Sequence, residues 1–186
     1  MALPKNPLDE LSIYTYHLAL FMNATNEKLD ADMEAFDWET TSTSRAAGND
    51  KIESCLLNSV TDAHQLFQEL KISQMAPSVS VEFKTSPFGL FSLRIAEPGN
   101  CMFINKIAKL MIKLKTKAFA SSVWGIKIKF VGRTPDNEIV EIKDIDPIYG
   151  CLIDIKSNFT QMGSTYDLSF VMASTTGVGQ TPEHAN

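Results

Sequence analysis

Ser12–Asn23 reads SIYTYHLALFMN. Ile13, Thr15, His17, Ala19 and Phe21 alternate with Tyr14, Tyr16, Leu18, Leu20 and Met22, the period of two that sends successive side chains to opposite faces of a strand. The second set is Tyr, Tyr, Leu, Leu, Met and the first is mixed, so the stretch predicts a β-strand with one fully buried face. Just before it, Asn6, Pro7, Leu8 and Asp9 predict a turn or a short helical lead-in.

The same spacing recurs downstream. Val79, Val81 and Phe83 alternate with Ser80, Glu82 and Lys84; a Pro87, Phe88, Gly89 turn and a second strand over Leu90–Ala96 complete a predicted hairpin. In Val123–Val131, Ile126, Ile128 and Phe130 alternate against Lys127 and Lys129. A turn over Gly132–Asn137 then leads into Glu138–Lys143, a second hairpin. Tyr149–Lys156 and Thr165–Met172 are two further strands, divided by Asn158–Ser164. Lys51–Ser73 predicts two short strands, or one strand and a turn, although DAHQLFQELK (Asp62–Lys71) also reads as helix.

Two segments break the pattern. From about Asn100 to Lys117, Phe103, Ile107, Leu110, Met111 and Leu114 recur at spacings of three and four, while Lys106, Lys109, Lys113 and Lys117 line another face. This is the one clear amphipathic helix. Asn100 is placed to cap it, and Glu97 lies just outside its positive N-terminus. The lysine stripe is either a solvated face or a contact for an acidic neighbour, such as the acidic segment of another subunit.

That acidic segment, about 27–51, carries Glu27, Asp30, Asp32, Glu34, Asp37 and Glu39 and then TTSTSRAAGND. It predicts a long mobile insertion without periodicity. Phe36 and Trp38 inside it are large aromatics that need a covering surface, and a partner protein is one such surface. On this expectation, deleting 27–49 impairs assembly and leaves the monomer fold intact. The last residues, 174–186, carry no core pattern and read as a tail or linker, which leaves residues 1–173 as one mainly β domain.

A chain of 186 residues with 44% hydrophobic and 21% charged residues has an ordinary globular composition and can bury a core without a disulfide or metal. Its formal charge of −5 disfavours general nucleic-acid binding, which requires clustered Lys and Arg; a wall that DNA passes without being gripped remains compatible. Cys55, Cys101 and Cys151 are far apart and read as reduced core thiols. The opening MALPKNPLDELS lacks a basic segment followed by an apolar one, so no signal peptide is expected. No apolar run is long enough for a membrane-spanning helix.

Candidate chemistry is sparse. His17, His64 and His184 have no accompanying nucleophile signature, and His17, within an alternating strand, reads as structural. No metal-ligand spacing occurs, so neither a metal nor a cofactor is expected. GVGQT near the end lacks the lysine, strand and helix of a phosphate loop, and paired carboxylates for hydrolysis cannot be assigned to one cleft. No small-molecule substrate is expected.

The order FSLRIAEPGNCMFINKIAKL (Phe91–Leu110), IKIKFVGRTPDNEIVEI (Ile126–Ile142) and GSTYDLSFV (Gly163–Val171), with NPLDELSIYTYHLALFM ahead of it, resembles phage baseplate-hub and tail-tube-like virion proteins. Glu97 and Pro98, Phe130 and Gly132, and Gly163, Thr165 and Tyr166 stand where that family has an acid–Pro pair before a helix, an apolar, Phe, Gly strand end and a Gly, Thr, Tyr strand. Family members are longer than this chain. The resemblance implies a tail-tube-like antiparallel β-sandwich or barrel with one flanking helix, and subunits joined into a ring by lateral sheet extension. Polar residues such as Glu138, Glu141, Lys127 and Lys129 would face a lumen. It further implies a non-enzymatic structural component of a phage tail or baseplate, made in the host cytoplasm and located in the virion, which binds copies of itself and other tail proteins and forms part of the DNA-delivery conduit. A virion-internal ejection-channel protein is the alternative, and a hydrolase a more distant one.

Overall fold

The computed structural model describes residues 7–38, 54–60, 80–86, 89–97, 102–116, 118, 121–142, 145–161 and 163–173. Pro7–Glu10 form a short 3-10 turn, as the Asn6–Asp9 lead-in predicts. Eight strands follow: β1 Ile13–Asn23, β2 Cys55–Asn58, β3 Ser80–Ser86, β4 Leu90–Glu97, β5 Val123–Arg133, β6 Ile139–Ile142, β7 Ile148–Thr160 and β8 Gly163–Met172. Among the described residues two α-helices, α1 over Asn26–Glu34 and α2 over Met102–Leu114, accompany them.

All eight strands belong to one antiparallel sheet. Seven run in the order β2-β1-β5-β7-β8-β4-β3, and β6 branches from β5. β1 pairs with β5 along its whole length, Ile13 opposite Arg133 and Asn23 opposite Val123. The other edge of β5 is shared: Phe130–Arg133 pair with β6, while Trp124–Ile126 pair with Gly150–Ile148 of β7. The sheet therefore has two wings, β2-β1-β5-β6 and β7-β8-β4-β3, joined through three residue pairs. Both predicted hairpins are present, β3 with β4 and β5 with β6.

The mainly β, antiparallel architecture with a flanking amphipathic helix is as expected, but closure into a sandwich or barrel is not. Among the described residues the sheet is open and ends at β2 and β3. Alternation assigns a strand's faces and says nothing about its neighbours; among the described residues helices, not a second sheet, cover those faces. On one face Leu18, Leu20, Met22, Trp124, Ile126, Leu93, Ile95, Leu168 and Phe170 pack with Phe103, Ile107 and Leu110 of α2. On the other, Ala19 and Phe21 pack with Leu29 and Met33 of α1, together with Phe36, Trp38 and Cys55.

Four local expectations change. β1 is buried on both faces from Leu18 to Asn23 and exposed from Ile13 to Tyr16, because α1 covers only its far half. The start of the acidic segment is helical: Thr25, in an extended conformation, caps α1 by accepting a hydrogen bond from the Lys28 N–H at 3.4 Å, and Leu29 and Met33 make its one buried stripe. β7 and β8 extend through Asn158–Thr160 and Gly163–Ser164, where all three β7 side chains, Phe159 included, are exposed and no alternating burial marks the strand. Finally, α2 ends at Leu114, with Lys115 at φ 55° and Thr116 N–H donating to the Met111 carbonyl, the wrap of a left-handed helix C-terminus.

Cys55 is buried and Cys151 half-buried, both as free thiols. The readings made for residues 51–53, 61–79, Pro87, Phe88, Pro98, Asn100, Cys101, Lys117 and the tail 174–186 lie outside the described residues, as does 39–51 of the acidic segment.

Candidate interaction surfaces

Glu97 closes β4 and is buried. The Phe103 N–H, at the start of α2, donates to both of its carboxylate oxygens at 3.2 and 3.3 Å, and the Tyr166 hydroxyl donates to Oε2 at 3.2 Å. A carboxylate here meets the positive end of the helix and one of its unsatisfied donors together. Two of the residues carrying the family resemblance, Glu97 and Tyr166, thus meet around the start of α2, and Tyr166 also packs on the Phe103 ring, 5.2 Å between centroids.

Phe130 and Gly132 serve the exposed half of β1. The Phe130 ring meets Tyr14 and Tyr16 edge-on at 5.7 and 6.4 Å. A Cβ on Gly132 would stand 2.7 Å from the Ile13 carbonyl oxygen and from Leu11, so the close approach of the lead-in requires glycine. Gly163, at φ 148°, adopts backbone that other residues rarely enter and starts β8 after the β7 turn, where Thr160 donates its hydroxyl proton to the Gly163 carbonyl. Thr165 pairs with Ala96 on one side and Asn158 on the other. These motif residues hold strand ends and turns rather than converging on one pocket.

Phe36 and Trp38, expected to seek a partner's surface, are covered by their own chain. Phe21, Phe36 and Trp38 form a run of edge-to-face rings at 5.0 and 5.2 Å, and Asn58 of β2 donates its amide N–H to the Trp38 carbonyl at 3.1 Å. Lys129 lies over the Trp38 ring at 5.3 Å, and Lys127 over the Phe36 ring at 6.0 Å, close enough for cation–π attraction. Lys127 also donates to the Met33 carbonyl at 2.7 Å, meeting the negative end of α1. Neither lysine is therefore available as a lumen-facing charge: Lys129 is 3% exposed and lies 3.7 Å from Glu141. Burial lowers the Lys127 pKa, with Glu34 opposing the shift.

His17 stands opposite Lys129 in the ladder and close to Glu141. Burial, then the Lys129 charge, lowers its pKa below 6.5, with Glu141 opposing. A histidine that binds its proton less readily when folded favours the folded chain above pH 6.5, and that contribution falls as pH drops through the lowered value. Wild type is therefore expected to lose more of its urea midpoint between pH 7 and pH 5 than His17→Gln does. Equal losses would show that His17 does not titrate differently on folding.

Of the lysine stripe, Lys109 and Lys113 are exposed and Lys106 is half-buried on α2. Between the helices, Asn23, Lys28, Asp32, Ser54, Leu110, Lys113 and Leu114 line an open cleft of about 210 Å³. Comparison with known proteins finds no matching family model, curated protein or solved structure. Among the described residues no group of three or more His, Cys, Asp and Glu is placed to hold a metal ion, and no helix is long and apolar enough to cross a membrane.

Sequence reasoning missed two surfaces. One is the outward face of α1, hidden because only Leu29 and Met33 mark its periodicity. The other is the outer edge of β7: beyond Gly150, among the described residues, β7 is paired only with β8, leaving a long open strand edge with Ile153 and Phe159 exposed.

Proposed function

We propose that the chain is a non-enzymatic structural component of a phage tail or baseplate, a tube or hub ring that acts by self-association and by docking neighbouring virion proteins. The observation that carries this reading is the open sheet. Among the described residues the sheet ends at β3 and at β2, and beyond Gly150 β7 is paired only with β8; such backbone edges are an aggregation hazard in a monomer. In a ring, each edge pairs with the next subunit and closure removes the hazard. The ordered motifs from Phe91 to Val171 support the placement in a tail, and the buried Glu97 and Tyr166 contact gives those motifs a structural reason to occur together.

DNA would pass through such a ring without sequence-specific contact, consistent with the overall charge of −5. Electron microscopy of intact particles with the chain labelled tests the reading, the expected result being repeated copies arranged as a ring in the tail or baseplate. Label confined to the capsid interior would favour the ejection-channel alternative and overturn the tail assignment.

A further inference from the structure

His17 of β1 and Lys129 of β5 stand directly opposite one another in the ladder, so their side chains leave the same face of the sheet side by side. Lys129 is 3% exposed, 3.7 Å from Glu141 of β6, and its ammonium lies 5.3 Å from the centre of the Trp38 ring. Trp38 ends residues 35–38, a short strap that follows α1 and lies on this face. Three contacts keep the indole down: the Phe36 ring, itself edge-on to Phe21, the Asn58 amide on the Trp38 carbonyl, and the Lys129 cation.

Few charges bear on this spot. Lys129 on β5 and Glu141 on β6 are the two that act on His17. On the other side of β1, residues 54–60 carry no charged side chain. Asp37 on the strap is exposed and engaged in an interaction of its own. A neutral imidazole sits beside a buried ammonium without conflict, but an imidazolium does not. Like charges directly opposite in a ladder repel, and the repulsion is greatest where water is excluded. Two cations would then share the Glu141 carboxylate. Admitting water to Lys129 relieves them, and the indole lies against that ammonium.

We propose that residues 35–38 are an acid-opened strap: protonation of His17 against Lys129 lifts Phe36 and Trp38 from the sheet and bares Phe21 of β1, while the rest of the fold stands. Linkage gives the direction. Burial, then the Lys129 charge, lowers the pKa of His17 below its ordinary 6.5 while the strap is shut. A histidine that holds its proton less readily in the shut form than in the open one favours the shut form above pH 6.5, and the open form gains as pH falls through the lowered value. The strap does not depend on the tail assignment.

Two measurements on the full chain at pH 7 and pH 5.5 test this. Acrylamide quenching in a Trp124→Phe background reports Trp38 alone, and hydrogen exchange of residues 24–38 in wild type, corrected for the intrinsic effect of pH, reports the strap without touching either tryptophan. At least about twofold more quenching and exchange is expected at the lower pH, the mark of a local opening, with far-ultraviolet circular dichroism unchanged. His17→Gln removes the titrating group and Lys129→Met the cation it opposes, so each is expected to abolish the pH response. An absent response in wild type, an equal response in either variant, or a rise in exchange shared by the whole sheet overturns the strap.

Discussion

Replacing Trp38 by alanine is expected to lower the stability of the fold by about 3–5 kcal/mol, the range for truncating a buried large aromatic. The indole is 6% exposed, ends the Phe21, Phe36, Trp38 run of rings and lies under the Lys129 ammonium. Its loss opens a cavity beneath a buried lysine and removes that lysine's aromatic contact. Urea unfolding measures the change, and a loss below about 1 kcal/mol would mean that the aromatic run is not part of the core. The same packing reverses an expectation drawn from composition: deletion of 27–49 removes Leu29, Met33, Phe36 and Trp38 together, and is expected to unfold the β1, β2 and β5 region rather than to leave an intact monomer.

A second large effect is expected at Glu97. Glu97→Ala strips the acceptor from the Phe103 N–H and the Tyr166 hydroxyl, and losing buried, charge-assisted hydrogen bonds of this kind costs about 3 kcal/mol. Tyr166→Phe removes one donor and should cost about 1 kcal/mol. Because the two residues share one bond, the double variant Glu97→Ala/Tyr166→Phe is expected to be less destabilised than the sum of the single ones. Strict additivity in guanidinium unfolding would show that the carboxylate and the phenol do not act together.

The elements that were legible in the sequence are those whose burial is one-sided and whose apolar residues are numerous. α2 shows five apolar residues at helical spacing, and β4 alternates buried Phe91, Leu93 and Ile95 with more exposed neighbours. α1 was hidden because two buried apolar residues, Leu29 and Met33, among four acids produce almost no periodic signal, and its Thr25 cap is a single residue. The end of β7 was hidden for the opposite reason: from Lys156 to Thr160 every side chain is exposed, so no buried face marks the strand, and the Phe159–Tyr166 ring contact becomes visible only once β7 and β8 pair. Glu97 was placed beside the helix by its position, whereas its bond to Tyr166 joins strands distant in sequence and becomes visible only once β4 and β8 pair, Ile95 opposite Tyr166. Phe36 and Trp38 announced a need for cover without saying who provides it. The cover comes from β1 and β2, which lie on either side of the acidic segment in sequence.

The narrow joint between β5 and β7 has a mechanical meaning. Three paired residues, Trp124–Ile126 against Ile148–Gly150, make a short seam, and a ladder that short resists shear better than it resists rotation about its own line. The angle between the wings is instead set by what is wedged across the seam: Phe91, Phe170 and Trp124, in ring contact at 4.6 and 5.6 Å, with α2 resting on strands from both sides. Side-chain volume in that wedge acts as a lever on curvature. Changing the volume of Ile107, which packs in the same cluster, is expected to shift one wing against the other, and in the proposed ring such a shift, repeated at each subunit, would alter how many copies complete the circle.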